Sequence, residues 1–312
     1  MEANRPERAA PSRDRWAEWL AKRRFGGDPE VRHRSLAQLA LTRDRVLDGA
    51  RLAEGETLLD LGCGEGLIAF GALERGAGRV VFSDISHDLL AFCRSAAEDL
   101  GVLDRCEFVR ASATDLDAVA GGSVDVVTTR SVLIYVADKQ AVFAELARVL
   151  RPGGRISLFE PINRFAVTGR DRLRFGGYDL AGLDEIAAKL RAVFDALQPP
   201  SDPMLDFDER DLLRLAEDAG FFPIRLTLEA VVEPLLPRDW EGFLKSSGNP
   251  NIPTVAEAME QALTASERRE LTAQLRPQVE QGLGEWRMAL AYLTAGKPAA
   301  DRPGFDLEAL TE

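Results

Sequence analysis

At 312 residues, with 46% hydrophobic content, the chain can bury one large core or two smaller ones. No apolar run approaches the roughly 20 residues that span a bilayer, and the charged start MEANRPERAAPSRDR lacks the apolar segment of a signal peptide. The formal net charge of −12 argues against nucleic acid as a partner, because phosphate binding depends on patches of Lys and Arg.

Three cysteines without CxxC pairing favour a reducing environment, so we expect a cytoplasmic protein: Cys63, Cys93 and Cys106. No group of His, Cys and acidic residues has the spacing of metal ligands, so we predict no metal.

The N-terminal part predicts a disordered tail over residues 1–12 and a helical lid over residues 13–50. Trp16 and Trp19 share one helical face, which is typical of a packing stripe. The basic cluster at Lys22 to Arg24 is flanked by apolar residues, and we interpret it as a solvated helix face.

The most informative stretch is LLDLGCGEG, from Leu58 to Gly66. An apolar run ends in an acid, Asp60, and a glycine cluster then leads into a helix-forming segment. This pattern predicts a buried parallel strand, a tight turn and a helix. Such a turn presents backbone amides at the positive end of a helix, which suits a nucleotide-like ligand with a carboxylate or phosphate.

The spacing of the glycines excludes two common classes of nucleotide-binding turn. A dinucleotide-binding turn reads G-x-G-x-x-G, but Leu67 occupies the third glycine's position. A P-loop would need Gly-Lys-Ser/Thr, which is absent here. A second apolar strand ends in Asp84, which follows Gly62 at roughly the 20-residue spacing of a ribose-binding carboxylate.

Three further segments continue the alternation of strands and helices. Glu107 to Arg110 precedes ASATDL, Val124 to Arg130 is a fourth strand, and LARVLRPGGRISLFEP reads as a helix, a Pro-Gly-Gly turn and a fifth strand. Alternation from Leu58 to Phe159 predicts parallel strands with helices on both faces.

In this order and spacing, the motifs resemble class I S-adenosylmethionine-dependent methyltransferases, particularly the small-molecule branch related to quinone-biosynthesis enzymes. The resemblance runs from Leu58 to Pro161, with a weaker match over Phe207 to Glu229. It implies an α/β fold: a doubly wound, Rossmann-like, mostly parallel seven-stranded sheet with an antiparallel last strand, plus N-terminal helices and a helical cap.

The resemblance also implies the cofactor site. The expected contacts to the methionine end, the ribose and the adenine of S-adenosylmethionine are Asp60, Gly62, Cys63, Gly64, Gly66, Asp84, Ile85, Ser112, Ala113 and Arg130. In the family an Asp usually receives the adenine amino group, and here Ser112 stands at that position. Asp115 is the alternative for this contact.

The remaining segments follow from composition and periodicity. Around a cofactor-binding core at 51–162 we expect a lid loop and helix at 163–206, a core helix and strand at 207–232, a helical cap inserted at 233–285, a last core strand at 286–297 and a disordered tail at 298–312.

Three side chains are candidates for catalysis: Glu160, Tyr135 and His33. Glu160 ends the fifth strand, at the sheet edge where ligands of open α/β folds bind. Its alternative is an ion pair with Arg164. His33 lies in the predicted lid, where a surface or packing role is the alternative.

These observations predict methyl transfer to a small molecule through an O, N or C nucleophile, with S-adenosylhomocysteine as product, no membrane partner and a homodimer as one option. Two alternatives stay open: a cofactor-binding scaffold or regulatory subunit, and non-methylating chemistry such as a cyclase. Leu67 disfavours a nicotinamide oxidoreductase, and the long cap suits a small molecule better than a protein substrate.

Overall fold

The structure of the chain is a computed structural model that describes residues 14–167 and 174–299. The helices are α1 (Arg15–Glu18, continued by a π-helical turn at Trp19–Arg23), α2 (Pro29–Ala50), α3 (Leu67–Glu74), α4 (His87–Asp99), α5 (Lys139–Val149), α6 (Asn163–Val167), α7 (Asp184–Leu197), α8 (Glu209–Asp218), α9 (Trp240–Lys245), α10 (Val255–Ala262) and α11 (Ala265–Gln281). The strands are β1 (Thr57–Leu61), β2 (Arg79–Asp84), β3 (Cys106–Arg110), β4 (Val124–Arg130), β5 (Leu150–Pro161), β6 (Arg174–Phe175), β7 (Tyr178–Asp179), β8 (Ile224–Pro234) and β9 (Glu285–Gly296).

Seven strands form one sheet in the order β3-β2-β1-β4-β5-β9-β8. The first five pair in parallel, whereas β9 runs antiparallel to both β5 and β8. The predicted fold class, a doubly wound and mostly parallel seven-stranded sheet with an antiparallel last strand, is confirmed. The carboxyl ends of β1, β2 and β4 therefore lie side by side.

Helices cover both faces of this sheet. On one face α2, α3 and α4 bury Val46, Ile68 and Cys93. On the other face α5 and α8 bury Phe143 and Leu212. Both faces of the central strands are thus buried, which explains why the sequences of β1 and β4 are continuous apolar runs and do not alternate between apolar and polar residues.

A third apolar cluster belongs to α7, α9, α10 and α11 together with the hairpin β6–β7. Trp240 and Phe243 of α9 stack at a centroid distance of 5.7 Å, and Tyr178 meets Phe243 edge to face. Since α9, α10 and α11 lie between β8 and β9 in the chain, this cluster occupies the region where a helical insertion was expected.

The predicted tail at 1–12 lies outside the described residues, as do 300–312 of the tail predicted at 298–312 and 168–173 of the lid loop predicted at 163–206. None of the helices in the described ranges combines the length and the hydropathy that a membrane span requires.

Candidate functional site

A cavity of about 680 Å³ opens at the carboxyl ends of β1, β2 and β4. The sheet and its connecting loops supply part of the lining: Leu61, Gly62, Gly64, Asp84, Ile85, Ser112, Ala113, Arg130 and Tyr135. Residues from outside this core supply another part: Arg15, Trp16, Trp19, Leu20, Arg24, Met204, Ser247 and Gly248.

The glycine turn takes a conformation that other residues rarely adopt. Gly62, Gly64 and Gly66 have φ of +67°, +55° and +81°. A Cβ on Gly62 would lie 2.3 Å from Cγ2 of Val132, whereas a Cβ on Gly64 would have no atom within 4 Å. Gly64 lines the cavity, so the space beside it is room for a ligand to approach the backbone.

Asp60 lies beneath the turn rather than in the cavity. Its carboxylate accepts hydrogen bonds from Thr128 Oγ1 at 3.0 Å and from the amide of Ala69 at 3.1 Å. Burial raises its pKa to about 7. This side chain ties β1 to β4 and α3, and the expected contact to the methionine portion stays a prediction. Cys63 and Gly66 also do not line the cavity.

Asp84 ends β2 at the cavity wall and is 9% exposed. It accepts hydrogen bonds from the amides of Gly64 and Ser86, both at 2.9 Å. Burial raises the pKa of this carboxyl, and the two amides oppose the rise. Ile85, 44% exposed, continues the wall. Asp84 therefore shapes the glycine turn and keeps an edge that faces the cavity.

The predicted adenine contacts also lie in the wall. Ser112 and Ala113 line the cavity, and the Ser112 hydroxyl is 2.9 Å from that of Thr114. The alternative, Asp115, does not line the cavity, and its carboxylate accepts from the amide of Asp117 at 3.3 Å. Of the two, Ser112 is the residue placed to meet a ligand.

Glu160 is 1% exposed and holds the loop after β4. Its Oε1 accepts hydrogen bonds from the amides of Val132 at 2.9 Å and Leu133 at 3.0 Å, while its Oε2 has no partner among the described residues. Burial raises its pKa to about 7. Glu160 does not line the cavity, its contacts position the loop after β4, and its catalytic role stays a prediction. Ser131, just before this loop, has φ +57°.

Tyr135 lines the cavity and meets Trp16 edge to face at a centroid distance of 4.9 Å. Burial raises the pKa of its hydroxyl to about 12, so the group stays protonated at neutral pH. His33 differs, because it is exposed on α2 and does not line the cavity. His33 thus lies outside this cavity, and its catalytic role stays a prediction.

The segment α1 covers the cavity and is tied at both ends. The Asp14 carboxylate accepts from the Ser86 hydroxyl at 2.5 Å, and the Asp14 amide donates to Asp88 at 2.6 Å. Further along, the indole of Trp19 donates to the carbonyl of Ser247 at 3.0 Å. This cover therefore connects α4 of the core to the loop that follows α9.

Sequence reasoning missed several lining residues, among them Arg24, Met204, Ser247 and Gly248. Arg24 was interpreted as part of a solvated helix face, but its guanidinium lies against the rings of Trp19 and Phe25, at 5.6 Å and 5.2 Å from their centroids. The adjacent aromatic residues were a usable signal for Arg24. For Met204 and the loop after α9, the sequence contained no such signal.

Within the described part of the chain, no three His, Cys, Asp or Glu side chains are grouped as metal ligands would be.

Residues 59–158 match a family profile described as a methyltransferase domain. The chain is 39% identical over 101 residues to the tRNA 5-carboxymethoxyuridine methyltransferase of Escherichia coli (strain K12). The aligned region covers 32% of this chain and 38% of that protein. The chain is 33% identical over 185 residues to the ubiquinone/menaquinone biosynthesis C-methyltransferase UbiE of Klebsiella pneumoniae, covering 56% of this chain and 70% of that enzyme. It thus spans less than half of the first relative and about seven tenths of the second.

Among solved structures, the fold is similar to a geranyl diphosphate methyltransferase in complex with S-adenosylmethionine. The TM-score is 0.50 at 20% identity, over 87% of this chain and 92% of that one.

Proposed function

The chain belongs to the class I S-adenosylmethionine-dependent methyltransferase family, and we propose that it transfers the methyl group of this cofactor to a small-molecule acceptor in the cavity beside the glycine turn. The observation that carries the proposal is the open space at Gly64, bordered by the carboxylate of Asp84. That space fits the cofactor, since a side chain at position 64 would fill it.

The residues of the wall suggest how the cofactor is held. Asp84 stands where a carboxylate grips ribose hydroxyls, and Ser112 with Ala113 stands beside it for the adenine. The backbone at Gly62 and Gly64 is left for the methionine portion, and Arg130 lines the same cavity. A serine hydroxyl binds an adenine amino group more weakly than a carboxylate does, so we expect ribose contacts to dominate.

When bound, the cofactor supplies a methyl group that is already activated by a positively charged sulfur. The protein then has to hold an acceptor atom within ~3–3.5 Å of that methyl and exclude water. The cover of Trp16 and Trp19 serves the second task. Tyr135, protonated at neutral pH, would orient an acceptor by donating a hydrogen bond.

The acceptor is proposed to be small because the cavity is roofed by α1 and by the loop at Ser247 and Gly248. The named relatives are a C-methyltransferase of ubiquinone/menaquinone biosynthesis and a tRNA 5-carboxymethoxyuridine methyltransferase, so kinship alone does not choose the acceptor. The net charge of −12 adds weight to the small molecule.

Calorimetric titration with S-adenosylhomocysteine tests the cofactor site. We expect binding by the unaltered protein and a loss of about 1–3 kcal/mol in Asp84→Ala, because a charge-assisted hydrogen bond disappears. Asp99→Ala, on the exposed end of α4, is the matched control. An unaltered protein without affinity for S-adenosylhomocysteine would refute the proposal.

Turnover needs a separate test, in which cell extract and an isotopically labelled methyl donor are incubated with the protein. A labelled small product is expected. Bound cofactor without any methylated product, across extracts and a substrate panel, would favour a regulatory scaffold or a cyclase-like enzyme instead. The feature that favours this alternative function is Ser112, which stands where the family usually has an Asp.

A further inference from the structure

Two arginines face the cavity without an acidic partner. Arg24 enters from the segment after α1, and Arg130 from the carboxyl end of β4. Within residues 14–167 and 174–299, neither guanidinium makes an ion pair within 4 Å or a side-chain hydrogen bond; Arg24 has only its contacts with the Trp19 and Phe25 rings.

The two cations also act on each other. Burial lowers the pKa of Arg24 to about 10, and the positive charge of Arg130 lowers it further. Burial likewise lowers the pKa of Arg130. Both arginines are half-buried, and drawing two like charges partly out of water without an ion-pair partner is costly. A folded chain that keeps them together therefore has a use for them.

The nearby acids offset only part of this charge. Glu65, exposed in the glycine turn, favours the charged form of both guanidiniums, but among the described residues it makes no ion pair with either within 4 Å. Asp60 is committed to Thr128 and to a backbone amide, and Glu160 to two amides of the loop after β4. With pKa values of about 7, both carboxyls carry only part of a negative charge at neutral pH. The planar guanidinium presents paired donors that match the oxygens of a carboxylate or phosphate.

We propose that Arg24 and Arg130 form an oxyanion site for the methyl acceptor, which is therefore an organic acid or phosphate with an apolar body. This inference rests on the proposed function and specifies its substrate class. The apolar body is expected beside Trp16, Leu20 and Met204, which line the same cavity.

The cofactor is the other source of an oxyanion, through the carboxylate of its methionine portion. One guanidinium can meet that group. However, S-adenosylmethionine also brings an ammonium and a sulfonium, so its net charge is +1. It adds positive charge to a cavity that already holds two guanidiniums, and an anionic acceptor would balance that charge together with Asp84 and Glu65.

The test uses benzoate and its uncharged counterpart benzamide, titrated into protein saturated with S-adenosylhomocysteine and followed by tryptophan fluorescence and calorimetry. We expect benzoate to bind about ten- to a hundredfold more tightly than benzamide. Arg24→Gln and Arg130→Gln should each remove most of that preference, and Arg24→Lys and Arg130→Lys should keep part of it. Arg32→Gln, an exposed arginine of α2, is the matched control for loss of one charge.

A parallel arm compares S-adenosylhomocysteine with 5′-methylthioadenosine, which lacks the amino-acid portion. If both Gln variants weaken only S-adenosylhomocysteine while benzoate shows no advantage over benzamide, the arginines serve the cofactor and the inference is overturned. Equal binding of benzoate and benzamide overturns it as well. If the unaltered protein binds no S-adenosylhomocysteine, it is the proposed function that fails. Thermal melting of each variant verifies that it is folded.

Discussion

Gly62 and Gly64 share a positive φ but differ in their surroundings. A Cβ at position 62 would collide with Val132, whereas one at position 64 would enter the cavity. The same substitution is therefore expected to damage the fold at one position and the binding site at the other.

We predict that Gly62→Ala lowers the free energy of unfolding by about 1–3 kcal/mol or more, from backbone strain plus overpacking. Gly64→Ala should lose about 1 kcal/mol of stability from its φ alone, yet lower the affinity for S-adenosylhomocysteine at least tenfold. Gly101→Ala, with φ +68° and no atom within 4 Å of the added Cβ, is the control for strain. Urea unfolding and calorimetry report the two effects, and equal affinities for Gly64→Ala and Gly101→Ala would contradict this assignment.

Glu160 makes the free energy of unfolding depend on pH. Its pKa is raised from an ordinary 4.5 to about 7, so the folded state binds a proton that the unfolded state releases between these values. Its contribution to stability is fully present below pH 4.5 and is lost as the pH rises to about 7.

Glu160→Gln should remove this contribution. Relative to the unaltered protein, the variant should gain stability from pH 5 to pH 8, by up to about 3 kcal/mol, in urea unfolding without cofactor. Asp60→Asn should act in the same direction, since its pKa is raised to about 7 as well. A difference between variant and unaltered protein that does not change with pH would show that Glu160 ionises normally.

At the scale of elements, α1 is held by contacts that its own sequence does not provide. Asp14 caps the first turn by accepting from the amides of Trp16 and Ala17, and the same carboxylate accepts from Ser86. Four residues of α-helix are too short to be stable alone, so the cover depends on this anchor and on Trp19.

Asp14→Ala should therefore loosen the cover without unfolding the core. We expect the free energy of local opening to fall by about 1 kcal/mol, which gives roughly fivefold faster hydrogen exchange over residues 15–24. Release of S-adenosylhomocysteine should also become faster. The exposed Glu18→Ala, on the same helix, is the control. Unchanged exchange in this segment would mean that the tryptophans alone hold it.

At the scale of the whole molecule, the site joins parts of the chain that are far apart in sequence: α1, the ends of β1, β2 and β4, Met204, and the loop at Ser247. A ligand that contacts all of them binds the folded state only, so it stabilises the whole fold by mass action.

S-adenosylhomocysteine at a hundredfold excess over its dissociation constant should thus add about 2.7 kcal/mol to the free energy of unfolding, measured by thermal or urea denaturation. NADH at the same concentration should add nothing, because Leu67 replaces the third glycine of a dinucleotide turn. The reverse result would point to a nicotinamide enzyme.

The sequence alone determined the strand, turn and helix from Thr57 to Glu74, and with them the sheet and its direction. Each of these features depends on residues a few positions apart: an apolar run, glycines with positive φ, and an apolar helix-forming segment. Such short-range signals survive in the linear sequence, and so the fold class and the family could be predicted.

The tertiary structure decided what each polar side chain does. Glu160 contacts backbone amides, His33 faces solvent, and Arg24 turns into the cavity although the basic cluster that contains it was interpreted as a solvated helix face. The direction of a long or charged side chain depends on what packs against its helix or strand. The amides that Glu160 contacts belong to Val132 and Leu133, which are 28 and 27 residues away in the chain. Ser247, which holds Trp19 of the segment that carries Arg24, is 228 residues from Trp19, so these groups meet only after folding.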